Sequence, residues 1–399
     1  MRRKIKKCFT SGGFMAVVLA AFLALAAIPA EPAEASSGIA AFGSQDYIIS
    51  NNMTLVPIRA VSEKLGAQVV WDGANQEVIV IKQDITLKLK VNNKSAYKNG
   101  KLIMLALPAR LVNGRVFVPL RFVGQALGCE VKWYDSSRTV VILTPEGSAK
   151  LAKVQNVLES STKNYSDLSS FKSEMVFNAD LKITKAGLSE GVLLAGNGFM
   201  YYKKPLTMYA QINFDKVSGS LADDLGQAPN LRMYMDGKDM YVDSGEGWEQ
   251  AGAIPPEARM LTLVQQAQQV EQMRQMLELA VISGAAIDCT EDSERYKINF
   301  SLDGKKMFAG ILGQFLTGSN SMEVEGALKE LEKLFQTCNL TYNIVVEKES
   351  MLPVKTAVHA FISIKDKLDV FELKMHVEGT LTEVNKEMSL PADLPKAAE

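Results

Sequence analysis

The sequence predicts an α+β protein in which a small duplicated α+β domain is followed by a large curved antiparallel sheet covered by helices. Two observations support this fold class. Residues 55–81 and 117–143 align without a gap at an offset of 62 residues, which indicates one supersecondary unit used twice. Beyond residue 170, apolar and polar residues alternate over long stretches, a pattern typical of half-buried antiparallel strands.

Length, composition and charge limit the class of protein. The chain has 399 residues, which is long for one ordinary domain, with 47% hydrophobic and 22% charged residues. Its 44 basic and 45 acidic residues give a formal net charge of −1. This balance provides no electrostatic reason to expect nucleic acid as a partner.

The first 35 residues have the layout of a secretory signal peptide. MRRKIKK supplies the positive segment, residues 14–28 form an apolar run, and Ala33-Glu34-Ala35 fits a cleavage site. The apolar run is shorter than the roughly 20 residues of a membrane span, which would be needed for the alternative, an uncleaved anchor. The sequence therefore predicts an exported bacterial protein that is secreted or associated with the cell wall or the membrane surface.

Three cysteines follow this segment. In an exported protein, Cys289 and Cys338 could form a disulfide within one domain. Cys129 aligns with Ala67 of the other copy, so we expect it to fill a small slot in a core.

The two aligned segments predict the same order of elements. Each begins with an apolar strand ending in a proline, Pro57 or Pro119, and continues with a helical pattern. Gly66 and Gly128 then stand where a helix end favours a left-handed residue. Two short strands joined by a turn complete each segment, and further strands around an Asn99-Gly100 turn lie between the segments.

Residues 47–143 resemble the copper amine oxidase N-terminal, or stalk, domain of secreted bacterial proteins. The resemblance is carried by residues 113–121, NGRVFVPLR, and by the paired V-P-[IL]-R, Leu-Gly and tryptophan positions. It implies a small α+β module at residues 36–145 that carries no copper chemistry.

We interpret the repeated motif residues as structural. The tryptophans are expected to anchor the helix against the hairpin, and the arginines to bridge turns through backbone carbonyls; binding through the surface is the alternative for the arginines. The residues concerned are Pro57, Arg59, Trp71, Pro119, Arg121 and Trp133.

Residues 146–150 have the composition of a linker, and residues 151–399 are predicted to form the second domain. A helix from Leu151 to near Tyr165 comes first. A strand of alternating residues begins at Phe171, and the pattern recurs five times, with one further strand at residues 354–364. Helical patterns at residues 255–282 and 308–335 interrupt the strands and are expected to cover the concave face of the sheet.

This arrangement is similar to the lipoprotein-carrier half-barrels of the LolA and LppX type. The resemblance is weaker than that of the first domain. It rests on the order of strands and helices and on local cues such as Gly198-Phe199, Gly247-Trp248 and Ser389-Leu390-Pro391.

The chain contains 18 methionines, several of them on the predicted covering helix and the facing strands. Because methionine adapts to irregular apolar partners, we expect a cavity that admits a lipid or another apolar ligand, although methionines that simply fill the core are the alternative. The candidate lining residues are Leu263, Val270, Met273, Leu277, Phe177, Met233 and Phe300.

The residues do not indicate a catalytic or metal site. The two histidines, His359 and His376, and the sequence Asn164-Tyr165-Ser166 cannot supply the three ligands and the quinone of a copper amine oxidase. We expect His376 to face solvent and His359 to be packed or hydrogen-bonded. Nucleophile elbows, zinc-site spacings and phosphate loops are also missing from the sequence. We therefore predict no enzyme activity, no catalytic residue, no cofactor and no metal.

The sequence thus predicts an exported cell-envelope protein that is not a catalyst and binds an apolar ligand or lipid in its C-terminal half-barrel. The main alternative is a purely structural protein of the envelope or wall with a filled core. A hydrolase of wall polymer or lipid is a remote alternative. The expected partners are a lipid or another apolar small molecule and components of the cell wall or envelope, and no oligomeric state is predicted.

Overall fold

The computed structural model describes residues 39–42, 46–134, 139–185, 187–205, 207–220, 230–253, 274, 276–278, 280–282, 287–303, 335–366, 369–387 and 389–395. The predicted signal peptide lies outside these residues. The chain divides into two compact units. Residues 33–156 and 277–289 form the N-terminal unit, and residues 157–276 and 290–399 form the C-terminal unit. Among the described residues, no helix has the length and apolar character needed to cross a membrane.

The described residues between 39 and 143 form twelve short strands and two short helices. The helices are α1 (Ile58–Lys64) and α2 (Leu120–Leu127). The strands are β1 (Ile39–Phe42), β2 (Ile48–Ser50), β3 (Met53–Pro57), β4 (Gln68–Asp72), β5 (Glu77–Lys82), β6 (Ile85–Lys90), β7 (Ser95–Lys98), β8 (Lys101–Met104), β9 (Arg110–Val112), β10 (Arg115–Pro119), β11 (Glu130–Tyr134) and β12 (Thr139–Leu143).

These strands form three antiparallel sheets, with the orders β1-β12-β11, β2-β3-β10-β9 and β4-β5-β6-β7-β8. The strand that precedes α1 pairs with the strand that precedes α2, so that β3 and β10 lie side by side. The segments 53–82 and 115–143 therefore have the same order of strand, helix and two strands, and they meet at this ladder.

Local backbone geometry follows the predicted turn residues. Gly66 and Gly128, just after the two helices, have φ angles of 79° and 67°. The β7–β8 and β9–β10 connections are Asn-Gly turns in which both residues have positive φ, at Asn99-Gly100 and Asn113-Gly114. Such turns match the twist of a two-stranded ribbon.

The larger of two apolar clusters forms the main core of the N-terminal unit. Val56, Val80, Val118 and Ile142 are each 0% exposed and belong to it. Cys129 packs against this core as a partly buried residue, as expected from its alignment with an alanine.

The interpretation of the motif tryptophans as packing anchors is wrong. Trp71 is 38% exposed and Trp133 is 45% exposed. They lie on β4 and β11, which are edge strands of their sheets, so each ring has an open side. Trp133 makes an edge contact with Tyr47, with ring centroids 5.8 Å apart.

The motif arginines are also exposed rather than bonded to turns. The Nε atom of Arg59 lies 3.8 Å from an oxygen of Glu63, one helical turn further along α1. Arg121 is exposed at the start of α2. Pro57 and Pro119 do have the expected structural place, since each directly precedes a helix.

The predicted linker at residues 146–150 is helical, which corrects that prediction. Helix α3 (Pro145–Asp167) begins six residues earlier than the expected start at Leu151. The Oγ1 atom of Thr144 accepts a hydrogen bond of 3.0 Å from the N–H of Gly147, and a proline at the first helical position favours helix entry. The helix therefore forms despite Gly147 and Ser148, whose presence suggested a linker.

The largest sheet has eleven antiparallel strands, ten of which lie entirely within the C-terminal unit. The eleven strands are β13 (Ser170–Lys185), β14 (Leu188–Lys203), β15 (Thr207–Ser218), β16 (Leu231–Met235), β17 (Asp239–Asp243), β18 (Trp248–Ala253), β19 (Ile287–Glu291), β20 (Arg295–Asp303), β21 (Phe335–Glu347), β22 (Pro353–Asp366) and β23 (Asp369–Val384). Their order in the sheet is β18-β17-β16-β15-β14-β13-β23-β22-β21-β20-β19. The protein is therefore mostly β, with a curled sheet as its largest element.

The two faces of this sheet differ in chemistry, as the alternation predicts. On β13, Met175 and Phe177 are buried, whereas Val176 and Asn178 are exposed. We call the side of Phe177 the apolar face and the side of Asn178 the polar face. Phe300 and Tyr342 stack on the apolar face with ring centroids 5.2 Å apart. The helices expected to cover a face, at residues 255–282 and 308–335, lie almost entirely outside the described residues.

Candidate ligand-binding cleft

A cleft of about 560 Å³ lies on the polar face of the eleven-stranded sheet. Two rows of side chains line it, each running across the strands through direct Cα partners. The first, the histidine row, consists of Lys216, Ala195, Asn178, His376, His359 and Thr341. The second, the Phe361 row, consists of Leu193, Asp180, Lys374, Phe361 and Asn339.

The strand register explains why these residues meet. Side chains of direct antiparallel partners point to the same face and lie close together. The two rows are two residues apart along each strand, which corresponds to about 7 Å. Groups separated by many residues in sequence, such as Asn178 and His359, thereby share one surface.

The two histidines are the most unusual feature of the cleft. His359 on β22 is the direct partner of His376 on β23, and their ring centroids are 4.3 Å apart. Burial, and then the neighbouring His359, lower the pKa of His376 below its ordinary value. Within the described part of the chain, the Nδ1 atom of His376 is buried without a hydrogen-bond partner.

Charged groups surround the pair. Lys216 and Lys374 line the cleft, and the ammonium of Lys374 lies 5.9 Å from the ring centroid of Phe361. Asp180 is the one acidic residue among the described lining residues, and Lys182 lies 3.8 Å from it. The cleft therefore offers more cationic than anionic groups.

Apolar side chains accompany these charges. Leu193 is 45% exposed, and Phe361 is half-buried in the same row. An open cleft with apolar walls and a few polar groups is the usual form of a small-molecule site. The arrangement suits a ligand that has both an apolar and a polar part.

The residues predicted to line a cavity do not lie in this cleft. Phe177 and Phe300 are buried, at 3% and 0% exposure, on the apolar face, and Met233 is half-buried on β16. Leu277 is buried within the N-terminal unit. The remaining three, Leu263, Val270 and Met273, lie outside the described residues.

Sequence reasoning missed the histidine pair, although a signal was available. It placed His359 and His376 on different strands without pairing them. The hairpin closes at the partners Asp366 and Asp369. His359 precedes Asp366 by seven residues and His376 follows Asp369 by seven, so the hairpin register pairs the two histidines. His376 does face the polar side, as expected, but it is half-buried rather than open to solvent.

The predicted disulfide is corrected by the sheet order. Cys289 lies on β19 and Cys338 on β21, and β20 runs between them. Two strand spacings are about 9.5 Å, whereas the Cα atoms of a disulfide are at most about 7 Å apart. The two cysteines are not bonded to each other. The described residues also include no group of three or more His, Cys, Asp or Glu side chains that could hold a metal ion.

A second polar cluster lies on the same face, over β16 to β18. Arg232 donates to Asp243, which is almost fully buried, and through Nη1 to Asp393 at 2.7 Å. The guanidinium also lies 4.9 Å from the ring centroid of Trp248. Burial tends to raise the pKa of Asp243, but hydrogen bonds from Arg232 and two glycine N–H groups leave it below its ordinary value. Arg232 thereby holds Asp393 against the sheet through this ion pair.

Comparison with known families decides where the C-terminal part belongs. Residues 153–399 match a family of unknown function, DUF6612. The chain belongs to this family. Residues 40–142 of this DUF6612 protein match the copper amine oxidase N-terminal domain, which confirms the resemblance carried by the repeated motif.

A curated relative of this DUF6612 protein comes from Brevibacillus choshinensis and is named protease inhibitor. It is 39% identical over 88 residues, which make up 22% of this chain and 27% of the relative. The match thus spans about a quarter of the relative's length.

Solved structures similar to this DUF6612 protein include LprF from Mycobacterium bovis, with a TM-score of 0.24, 10% identity, and coverage of 61% of this chain and 98% of LprF. A structure of lipid–protein interactions in lipovitellin has a TM-score of 0.23 and 8% identity, with 58% and 26% coverage. A DUF1329 family protein from Desulfovibrio piger has a TM-score of 0.19 and 9% identity, with 61% and 95% coverage.

Proposed function

We propose that this protein is an exported component of a bacterial cell envelope that binds a small amphiphilic molecule, such as a lipid, without catalysing a reaction. The proposed site is the cleft on the polar face of the eleven-stranded sheet. The single observation that carries the proposal is the close association of apolar and cationic side chains in the cleft, represented by the exposed Leu193 and Lys374 and the half-buried Phe361.

The size of the cleft supports a ligand of modest dimensions. Its volume of about 560 Å³ lies within the range of roughly 300–1,000 Å³ that small-molecule sites occupy. Leu193 keeps 45% of its surface exposed, so a bound alkyl chain would remove apolar area from water. That burial is the main driving force expected for binding.

Export is proposed from the first 35 residues, which combine a basic segment, an apolar run and a small-residue cleavage site. The N-terminal module would then carry the binding unit outside the cytoplasm. Amino-terminal sequencing of the protein recovered from the medium and from the washed cell envelope tests this. We expect the mature chain to begin near Ser36, and recovery of uncleaved protein in the cytoplasm would contradict export.

Binding is tested with the full chain purified without detergent. Organic extraction followed by mass spectrometry should release a lipid, and a fluorescent acyl probe should bind with saturation. Leu193→Ser should weaken probe binding about fivefold, because about 1 kcal/mol of apolar burial is lost. Val176→Ser is the matched control, since Val176 is 59% exposed on the same face but does not line the cleft.

Absence of lipid in repeated extracts together with absence of probe binding would contradict the proposal. Equal effects of the two serine substitutions would place the ligand elsewhere.

A purely structural envelope protein is the second candidate function. It is favoured by the tight packing of the apolar face, where Phe300, Tyr342 and Val358 are at most 1% exposed. A protein of this kind would yield no lipid on extraction, and Leu193→Ser would leave its retention in the envelope unchanged.

A further inference from the structure

The two histidines of the chain are brought together at one place. The sequence of 399 residues contains only His359 and His376, and they are direct partners inside the cleft. We propose that His359, His376 and Lys374 receive the anionic head group of the ligand, a carboxylate, sulfonate or phosphate. This inference rests on the proposed function of the cleft and names the class of molecule that it takes.

The charges around the histidine pair favour an anion. Near the two rows, the cations on the polar face are Lys182, Lys216, Lys355 and Lys374, and the carboxylates are Asp180, Asp215, Glu372 and Glu378. Of these, Lys216, Lys374 and Asp180 line the cleft. Lys355 lies 2.7 Å from Glu378, and Asp215 accepts a hydrogen bond of 2.9 Å from Asn197. The described lining residues of β21, Asn339 and Thr341, are uncharged. Among the described residues, Lys374 has no carboxylate within 4 Å.

The hydrogen-bonding state of His376 points the same way. Its buried Nδ1 atom has no partner among the described residues, and a buried polar atom without a partner is costly. A protonated ring would donate a hydrogen bond to an anionic oxygen bound in the cleft. Burial and the neighbouring ring lower the pKa of His376, so its neutral form is favoured in the absence of an anion.

Anion binding and protonation are therefore coupled. A bound anion favours the charged imidazole, so the complex takes up a proton from solvent, and a lower pH strengthens binding by the same factor. The apolar part of the molecule would lie along the Phe361 row, about 7 Å away. Head group and chain thus have separate places in one cleft.

The test compares three amphiphiles with the same twelve-carbon chain, used below their micelle concentrations on the full protein. They are dodecanesulfonate, dodecyltrimethylammonium and dodecyl maltoside, and circular dichroism checks that the protein stays folded. We expect dodecanesulfonate to bind about tenfold tighter than the neutral amphiphile, as a charge-assisted contact provides. Its affinity should increase between pH 8 and pH 6, whereas that of dodecyl maltoside should not.

Substitutions identify the residues involved. Lys374→Gln and His376→Gln should each reduce the preference for dodecanesulfonate about fivefold and leave dodecyl maltoside binding nearly unchanged. Lys203→Gln is the control for the loss of one positive charge, because Lys203 is exposed at the end of β14 and outside the cleft. The wild-type protein offers an independent readout, since its two imidazoles give two resolvable proton signals. Dodecanesulfonate should raise the pKa of His376 and shift the signals of both rings.

The outcomes separate the two proposals. Equal binding of all three amphiphiles, or unmoved histidine signals, would overturn the head-group inference and leave apolar binding in the cleft intact. A preference for the cationic amphiphile would also overturn it. Absence of binding by all three would sink the proposed function, and this inference would fall with it.

Discussion

Val56 and Val118 are direct partners in the antiparallel ladder between β3 and β10, and they also occupy equivalent positions in the two aligned segments. On either side of them Leu55 faces Pro119, and Pro57 faces Phe117. Leu55 thus pairs with the equivalent of Pro57, and Pro57 pairs with the equivalent of Leu55. A local two-fold axis through the valine pair requires this exchange. The repeated sequence and the strand pairing share one centre.

Because both valines are 0% exposed, Val56→Ala and Val118→Ala should each destabilise the N-terminal unit by about 2 kcal/mol. The two effects should be similar in size, and the double variant should deviate from their sum because the residues adjoin. Urea unfolding measures all three free energies. Val70→Ala, at a residue 43% exposed, is the control and should change stability by less than about 0.5 kcal/mol. Strongly unequal effects of the two core substitutions would contradict the local symmetry.

Arg232 should be a strong determinant of stability in the C-terminal unit. The side chain of Asp243 is 5% exposed, so Arg232→Met leaves a buried carboxylate without its counter-ion and should cost about 3 kcal/mol. Asp393→Asn serves as the comparison, because that side chain is 56% exposed and its loss should cost less than about 1 kcal/mol. Denaturant unfolding followed through tryptophan fluorescence measures both. Equal costs would show that the buried arm of the network contributes no more than the exposed one.

The unfolding free energy should fall as the pH decreases from 7.5 to 5.5, and His376 should contribute to this fall. The pKa of His376 is lowered in the folded protein, so the unfolded chain binds its proton first as the pH drops. The contribution of the neutral ring is complete above the ordinary histidine pKa of about 6.5 and is lost as the pH falls through the folded-state value. Urea midpoints at several pH values measure it.

In the His376→Gln variant the stability should depend less on pH over this range. His359→Gln should have an intermediate effect, because it removes the neighbouring ring but leaves the burial of His376. If His376→Gln had the same pH profile as the wild type, the folded-state pKa of this histidine would not be lowered.

Gly196 should tolerate no side chain. A Cβ atom there would lie 2.1 Å from the carbonyl oxygen of Asn213 and 2.6 Å from the ring of Phe177. Gly196→Ala should therefore destabilise the C-terminal unit by about 3 kcal/mol or more. The added substitution Phe177→Leu should not restore stability, because the backbone carbonyl remains in place. Rescue in the double variant, measured by thermal unfolding, would show that the aromatic ring alone sets the limit.

The features of the fold that depend on residues close together in sequence could be predicted from the sequence. The alternation along residues 171–183 correctly separates the two faces of β13, because side chains alternate strictly along a strand. Gly66 and Gly128 correctly mark left-handed positions. The start of the helix at Pro145 also has a local signal, the cap by Thr144, but the glycine and serine that follow favour a linker.

Features that depend on the sheet order could not be predicted in the same way. The exposure of Trp71 and Trp133 follows from their edge strands, and an isolated sequence does not show which strand is an edge. Arg232 and Asp393 are 161 residues apart, so their ion pair has no local signal. The histidine pair lies between local features and features set by the sheet order, because the register of the β22–β23 hairpin alone brings the two residues together.

The two Asn-Gly turns of the N-terminal unit differ in how firmly the amide is held, and this has a chemical consequence. At Asn99 the side chain accepts a hydrogen bond of 2.7 Å from the N–H of Thr86 and donates one of 2.9 Å to the carbonyl of Asp84. The side chain of Asn113 makes no such bond to the described residues, so its carbonyl carbon is freer to meet the following glycine nitrogen. Cyclisation with loss of ammonia, and opening to isoaspartate, should therefore begin at Asn113 as the protein ages. The NGR turn is part of the motif of the copper amine oxidase N-terminal domain. We expect a stored sample to become chemically heterogeneous first at this turn, with one added negative charge for each converted asparagine.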